Sequence, residues 1–214
     1  MATVITVAQQ KGGAGKTTLT AQLAVTFARN FGKVALIDID PQGSLGAWFK
    51  IRQDALGEAA GGMHLSGIPG WRLGTELDRL HRKFDYIVID SPPHAETDSR
   101  AAIRSGDLVV VPVQPSPLDL WATAPTLALA QKEKRPLLLV INRMPPRGNL
   151  PEAVLAKLAV EPTPMAATRL GNRMAYAASM MEGKGVIEID PSSTAAKEIT
   201  ALAHEIATCL GKKA

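Results

Sequence analysis

A glycine-rich segment directly after a short apolar run constrains the fold of this 214-residue chain more than any other feature. The largely apolar residues 4–8 are followed by residues 10–18, which read QKGGAGKTT. An apolar run of strand length, a glycine-rich turn and Gly-Lys-Thr at the start of a helix form a loop that encloses phosphate groups. Glycines let backbone N–H groups close on phosphate oxygens, and the helix N-terminus adds positive partial charge. The segment therefore predicts a P-loop.

The residues of this loop are the predicted nucleotide-binding residues, namely Lys11, Gly12, Gly13, Ala14, Gly15, Lys16, Thr17 and Thr18. In such a loop Lys16 reaches the β- and γ-phosphates, and the Thr17 hydroxyl is a ligand for Mg²⁺. The first glycine of the usual template G-x-x-x-x-G-K-[ST] is replaced by Gln10, and a second lysine, Lys11, follows it. Two lysines in so short a loop repel each other unless anions neutralise them. This favours a bound nucleotide over a purely structural turn.

Two further predicted strands end in aspartates. Residues 34–43 read VALIDIDPQG, and the alternation of side chains along a strand puts Asp38 and Asp40 on the same side. Residues 85–93 read DYIVIDSPP, a Walker B pattern in which Asp90 holds Mg²⁺, commonly through water. A single aspartate at a strand end often only caps a turn. Because doubly wound sheets bind ligands at the carboxyl ends of their strands, the three motifs together predict one site for a nucleoside triphosphate and Mg²⁺.

Composition fits one intracellular domain over residues 1–214. A hydrophobic content of 46% supports a full core, and the lone Cys209 excludes a disulfide framework, so we expect a reducing, cytoplasmic setting. We expect no signal segment, and no stretch approaches eighteen apolar residues. The net charge of +4 leaves two readings open, an acidic partner or a mildly basic protein.

β-Branched runs alternate with helical patterns, which predicts an α/β fold, a doubly wound, mainly parallel sheet with helices on both faces. The predicted strands cover residues 3–8, 34–39, 85–90, 107–113 and 137–142, with a weaker one at 63–68 and two others near 164–168 and 186–189. The predicted helices cover residues 16–30, 43–53, 73–83, 96–105, 117–134, 150–159, 172–182 and 193–210. The glycine-rich residues 57–70 are expected to be irregular and mobile.

The loop sequence KGGAGKTT resembles the deviant Walker A motif of the ParA/MinD family of ATPases. The stretches DIDPQG and IDSPP are similar to the Walker A′ and Walker B stretches of ParA-type partition ATPases. Residues 105–120, 173–176 and 185–199 resemble the short, plasmid-type ParA proteins, so the resemblance covers almost the whole chain. Because the first strand begins at Thr3, we expect no N-terminal DNA-reading domain and no sequence-specific repression of an operon.

The resemblance implies an ATP-dependent sandwich homodimer with Mg²⁺. In that arrangement Lys16 grips the β- and γ-phosphates of its own subunit, and Lys11 reaches the phosphates of the other subunit. Asp40 positions or activates the attacking water, because it is the carboxylate that is not committed to the metal. Lys11, Lys16 and Asp40 are therefore the predicted catalytic residues.

The resemblance also implies which residues bind Mg²⁺ and which residue contacts the adenine ring. Thr17 is implied to bind Mg²⁺ directly, with Asp38 and Asp90 holding it through its water shell. Asn142, at the end of a predicted strand, matches the family asparagine that reads the adenine edge. Its alternative is a turn-initiating role before Pro145.

A single subunit is expected to hydrolyse ATP slowly, and this indicates how the protein functions. Phosphoryl transfer needs charge stabilisation, which Lys11 supplies only when two subunits meet, so ATP acts as a clamp that a partner protein releases. The resemblance implies cargo partition, in which the ATP dimer binds nonspecific DNA of the nucleoid and a ParB-like adaptor on the cargo triggers hydrolysis. The cargo is a plasmid, a chromosome or a protein assembly. The predicted DNA contacts, which alternatively are only solvated surface charges, are Arg169, Arg173, Lys184 and Lys197.

Two other functions are alternatives to this one. A MinD-like, membrane-associated positioning ATPase would use an amphipathic C-terminal helix, and Ile199, Leu202, Ile206 and Leu210 do share one side of the last predicted helix. The abundance of alanine and the presence of Glu198 and Glu205 favour packing in the core, so no stable membrane association is expected. A metabolic P-loop enzyme, such as a ligase or a small-molecule kinase, would leave Lys11 unexplained.

Overall fold

The computed structural model describes residues 1–93, 96–147, 154–156 and 163–212. Its centre is a six-stranded sheet in the order β3-β2-β4-β1-β5-β6, and every pair of neighbours is parallel. The strands are β1 Thr3–Val7, β2 Val34–Asp38, β3 His64–Gly67, β4 Tyr86–Asp90, β5 Leu108–Val113 and β6 Leu137–Ile141. The four inner strands are buried along their whole length, as expected for a parallel sheet covered on both faces.

The helices lie on both faces of this sheet. Within the described ranges, the helices of four residues or more are α1 Lys16–Asn30, α2 Ser44–Leu56, α3 Leu73–Leu80, α4 Glu96–Ser105, α5 Pro117–Lys132, α6 Met174–Met181, α7 Val186–Ile189 and α8 Thr194–Cys209. Alternate residues of one strand serve opposite cores: Leu36 packs with α1 and α8, whereas Ile37 packs with α3. The predicted doubly wound, parallel α/β fold is confirmed.

One predicted strand is a helix. Residues 186–189 form α7, because the Glu188 carboxylate accepts a hydrogen bond from the backbone N–H of Gly185 (3.0 Å) and so starts a helical turn. The same carboxylate binds the buried guanidinium of Arg52 in α2 (2.8 Å), which ties the turn to the core. The strand prediction from the β-branched residues of this segment was therefore wrong.

The strand predicted near 164–168 is also absent from the described residues. Met165 makes a single parallel bridge to Leu139 in β6, in which the Ala166 N–H donates to the Leu139 carbonyl oxygen (2.8 Å), but the two following N–H groups bind elsewhere. Those of Ala167 and Thr168 both donate to the Glu205 carboxylate in α8, each at 2.8 Å. A ladder cannot continue when its donors are bound elsewhere.

Other differences are smaller. Strand β3 confirms the weaker strand predicted at 63–68, and it gives residues 57–70 more regular structure than the expected irregular segment. Two 3₁₀ turns, Ala60–Gly62 and Gly70–Arg72, flank it. The helix predicted at 150–159 lies mostly outside the described residues. Residues 154–156 are the part of it that the structure describes, and they are helical.

The last helix packs in the core. The side chains of Ile199, Leu202 and Ile206 in α8 are fully buried, as the core-packed interpretation predicted, and Leu210 packs against the same cluster. Among the described residues, no helix combines the length and the apolar character needed to cross a bilayer.

Candidate nucleotide-binding site

The loop between β1 and α1 is shaped for an anion. Gly13 and Gly15 have φ angles of 77° and 90°, a left-handed conformation that favours glycine. A Cβ atom on Gly15 would also lie 2.6 Å from Nδ2 of Asn142. The backbone N–H groups of residues 12–18 donate no hydrogen bond to any residue that the structure describes. Donors gathered at a helix N-terminus in this way fit the oxygens of a polyphosphate.

Lys16 lies inside this loop. Its side chain is buried, and Nζ donates to the carbonyl oxygen of Lys11 at 3.4 Å. Burial lowers the pKa of Lys16, whereas the negative charges of Asp90 and Asp40 raise it. A phosphate in the loop would add a further negative charge and stabilise the ammonium form.

Thr17 and Asp90 meet at the start of α1. Thr17 Oγ1 donates to one carboxylate oxygen of Asp90 (2.7 Å), and Thr20 Oγ1 donates to the other (3.3 Å). The pKa of Asp90 is raised to about 7: burial raises it most, the Thr17 hydrogen bond opposes this, and the charge of Asp38 adds to it. A buried carboxylate and a hydroxyl beside a phosphate loop form a donor set of the kind that Mg²⁺ takes. These residues therefore fit the predicted metal.

Asp38 and Asp40 have different surroundings. Asp38 is the register neighbour of Asp90 on the adjacent strand, and burial raises its pKa. Its two oxygens accept hydrogen bonds from the backbone N–H groups of Asp40 and Gly46, each at 3.0 Å. Asp40 is half-buried, and one of its oxygens accepts from the N–H of Gln42 (3.0 Å). Asp38 thus braces the turn after β2, which leaves Asp40 as the less committed carboxylate.

Lys11 and Lys16 contact different parts of the structure. Its ammonium lies 2.7 Å from Oδ2 of Asp119 in α5, and the side chains are 34% and 7% exposed, respectively. Asp119 was not among the site residues predicted from the sequence. The available signal was its spacing from Ser116, the N-cap of α5, whose hydroxyl accepts from the Asp119 N–H at 3.2 Å. That signal predicts a helix start rather than a lysine partner.

The buried side of α5 also holds the residues before the loop. The Gln9 amide donates to Thr123 Oγ1 (2.9 Å) and accepts from Thr126 Oγ1 (3.0 Å). Thr126 Oγ1 in turn accepts from the backbone N–H of Gln10 (3.1 Å). These contacts fix the position of residues 9–11 relative to α5.

A cavity of about 180 Å³ opens beside the loop, between α1, the end of β6, residues 170–173 and α6. Asn142 lies at its edge, where Nδ2 donates to the carbonyl oxygen of Ala14 (2.9 Å) and Oδ1 accepts from the N–H of Arg143 (3.0 Å). One N–H of the amide remains available for a ligand. The place of Asn142 is compatible with contact to a base, and that role stays a prediction.

The four residues predicted to bind DNA have different surroundings. Arg173 lines the cavity and pairs with Glu198 (2.6 Å), and Lys184 pairs with Glu182 (3.1 Å). Arg169 and Lys197 are exposed. Their DNA role also stays a prediction.

Comparison with known proteins agrees with this geometry. A sequence model of the family described as "CobQ/CobB/MinD/ParA nucleotide binding domain" matches residues 5–207. The chain is 28% identical over 212 residues to maintenance of carboxysome distribution protein A of Halothiobacillus neapolitanus, covering 94% of this chain and 95% of that protein. It is 26% identical over 250 residues to the sporulation initiation inhibitor protein Soj of Bacillus subtilis, covering 97% and 99%.

Among solved structures, the septum site-determining protein MinD of Pyrococcus horikoshii in complex with Mg-ADP superposes with a TM-score of 0.78. Its sequence identity is 24%, with 99% of this chain and 98% of that one covered. At that identity the likeness shows the fold alone. The match of the family model over nearly the whole sequence shows more: this chain belongs to the CobQ/CobB/MinD/ParA family of nucleotide-binding domains.

Proposed function

We propose that this protein is an ATP-dependent dimerising switch, a slow ATPase that positions cargo. One observation carries the proposal. The phosphate loop contains two lysines, but only the Lys16 side chain is buried inside the loop. The Lys11 side chain is partly exposed, and its ammonium pairs with Asp119 in α5. A cation that does not serve its own loop is available to a second subunit.

The nucleotide proposed for the loop is ATP with Mg²⁺, in keeping with the Mg-ADP complex of the MinD neighbour. The N–H groups of residues 12–18 and the Lys16 ammonium would hold the phosphates. Thr17 and Asp90 would hold Mg²⁺, with Asp38 binding its water shell. When bound, the magnesium nucleotide supplies the phosphoryl group and the charge that joins two subunits. We propose that Asp40 orients the attacking water, since neither the metal nor the turn engages it fully.

The proposed work of the switch is association and release. In the ATP state the dimer binds nonspecific DNA through phosphate contacts from Arg169, Arg173, Lys184 and Lys197, which places it on the nucleoid. An adaptor on the cargo, ParB-like or its counterpart on a protein assembly, then stimulates hydrolysis. A relative named for carboxysome distribution, aligned over nearly its full length, supports a protein assembly as cargo. The buried apolar side of α8 weighs against the MinD-like membrane alternative.

Light scattering coupled to gel filtration tests the proposal. We expect a monomer with ADP and Mg²⁺ and a dimer with a non-hydrolysable ATP analogue and Mg²⁺. Lys16→Ala should abolish nucleotide binding, because the loop loses its buried cation. Lys11→Ala should still bind the nucleotide but remain a monomer. Lys132→Ala, an exposed lysine on the same helix as Asp119, is the matched control and should dimerise normally. A Lys11→Ala protein that dimerises like the wild type contradicts the proposal.

A further inference from the structure

Arg143, the residue after Asn142, has an unusual backbone conformation at the cavity beside the loop. Its φ angle is 54°, in the left-handed region that residues with a side chain rarely adopt. Arg143 and Asn142 both line the cavity. Backbone strain of this kind is retained where the surrounding structure requires it, and it is common at binding sites. The conformation therefore indicates a role for Arg143 at the cavity.

The chain is fixed on both sides of this conformation. The backbone N–H of Asn142 donates to the carbonyl oxygen of Val113 (2.9 Å), and that of Met144 donates to the carbonyl oxygen of Leu170 (2.8 Å). Between these two bonds, the φ angle of Arg143 decides which way the peptide group that joins Asn142 to Arg143 faces. In the left-handed conformation its N–H faces the Asn142 side chain and donates to Oδ1 at 3.0 Å. A residue that rejects this conformation would turn the peptide group away.

The Arg143 N–H holds the Asn142 side chain in one orientation. Oδ1 accepts from that N–H, while Nδ2 donates to the carbonyl oxygen of Ala14 (2.9 Å). If the amide were turned over, Nδ2 would meet the N–H and Oδ1 would meet the carbonyl, so both contacts would become repulsive. Gly15 leaves the room that this arrangement needs, because a Cβ atom there would lie 2.6 Å from Nδ2.

An amide held in this way presents one donor beside one acceptor. After its contacts with Ala14 and Arg143, Asn142 keeps one N–H of Nδ2 and one lone pair of Oδ1. Adenine offers the complementary pair, the N6 amino group next to the acceptor N7, whereas guanine offers two acceptors, O6 and N7. A released amide could rotate and give both of its N–H groups to guanine. Discrimination therefore depends on the fixed orientation as well as on the presence of Asn142.

On the basis of the proposed ATP-binding function, we infer that Arg143 is a positioning residue for base selectivity. Its left-handed backbone holds the Asn142 amide in the orientation that distinguishes adenine from guanine. The Arg143 side chain itself is exposed, so the selectivity comes from the peptide group and not from the guanidinium.

Calorimetric titration of the protein with ADP and with GDP, each with Mg²⁺, tests the inference without requiring dimerisation. We expect the wild type to bind ADP about 10- to 100-fold more tightly than GDP. Arg143→Val should lower that ratio by about tenfold, because a β-branched residue resists the left-handed conformation and the peptide group must turn. Arg143→Gly removes the side chain but allows the conformation, so it should keep the wild-type ratio.

Lys134 provides a matched control. It is also left-handed, with a φ angle of 53°, but it precedes β6, whereas Asn142 follows that strand. Lys134→Val should lower the melting temperature through the same backbone strain and leave the ratio of the two affinities unchanged. Asn142→Ala should lose the selectivity. Adding Arg143→Val to Asn142→Ala should change the ratio no further, because both act through one amide.

The outcomes separate the backbone from the side chain and from the proposed switch. If Arg143→Gly loses selectivity as fully as Arg143→Val, the guanidinium reads the base and the inference is overturned. If Arg143→Val weakens ADP and GDP equally, its role is only structural and the inference is again overturned. Equal affinity of the wild type for ADP and GDP overturns it too, while the proposed switch stands. If the wild type binds neither nucleotide, the proposed function fails first.

Discussion

The Lys11 ammonium lies 2.7 Å from the Asp119 carboxylate, across the gap between the nucleotide loop and helix α5. This ion pair competes with any anion that a second subunit presents to Lys11. Because Lys11 is about one-third exposed, breaking the pair costs little, on the order of 1 kcal/mol. The pair can therefore hold Lys11 in the monomer and still yield to the phosphates of a second copy.

Replacing Asp119 by Asn should tighten ATP-dependent dimerisation. The side-chain amide of Asn keeps the size of the carboxylate and an oxygen that can accept a hydrogen bond from the Ser116 hydroxyl, but it removes the charge that holds Lys11. We expect the dissociation constant of the dimer to fall by about three- to tenfold, measured by sedimentation velocity with a non-hydrolysable ATP analogue. Asp78→Asn, at an exposed aspartate of α3, should change nothing. A weaker Asp119→Asn dimer would mean that Asp119 orients Lys11 for its partner.

Replacing Asp40 by Ala should separate binding from hydrolysis. Asp38 uses both oxygens to hold the turn and α2, so its loss disturbs structure, whereas Asp40 has free acceptor capacity beside Lys16. We expect Asp40→Ala to bind ATP normally, to hydrolyse it about 100-fold more slowly and to accumulate as a dimer. Phosphate release and light scattering measure these effects, with the exposed Asp54→Ala as the control. An unchanged hydrolysis rate would show that another group orients the water.

The sequence predicted those features whose signals are local. The phosphate loop, the aspartates Asp38 and Asp90 and the parallel sheet all follow from short motifs after apolar strands, and the structure brings these residues to one edge. The Lys11–Asp119 pair has no such signal, because its residues are 108 positions apart and the spacing of Asp119 indicates only a helix cap. The α7 helix was missed for a similar reason: its start depends on Glu188, whose position is fixed by the distant Arg52.

Asp90 should make the nucleotide-free protein sensitive to pH. Its pKa in the folded protein is raised from 3.8 to about 7, so folding favours the protonated form. The stability from this group is complete below pH 4 and is lost as the pH rises through 7. Asp90→Asn, which mimics the protonated side chain, should therefore melt higher than the wild type at pH 8, by on the order of 5 °C, and similarly to it at pH 4.

Magnesium should reverse that difference. The metal binds the charged carboxylate, so ATP with Mg²⁺ should raise the melting temperature of the wild type at pH 8 more than that of Asp90→Asn. Differential scanning calorimetry with and without the nucleotide measures both effects, and Asp78→Asn serves as the control. If Asp90→Asn melts lower than the wild type at pH 8 without nucleotide, the buried carboxylate is stabilised by its hydroxyl donors rather than strained by burial.

DNA binding is the step of the proposed cycle that depends on surface charge. A dimer carries each predicted contact twice, so binding should appear with the ATP analogue, disappear with ADP and show no preference between unrelated duplexes. Log affinity should fall linearly with log salt concentration, with a slope set by the number of phosphate contacts. Lys197→Glu is the sharpest variant, because Arg173 and Lys184 are paired with Glu198 and Glu182 and their reversal would also disturb those pairs. Losing the Lys197 contact in both copies of the dimer should reduce the slope of log affinity against log salt concentration by about 2.

Fluorescence anisotropy with two duplexes at three salt concentrations measures this slope. The control is Lys132→Glu on α5, which changes the net charge by the same amount and should leave the slope unchanged while lowering affinity only slightly. Equal DNA affinity with ATP and ADP would contradict a nucleotide-controlled switch. Binding to anionic lipid vesicles in place of DNA would instead support the membrane-associated alternative, and would require the buried apolar side of α8 to leave the core.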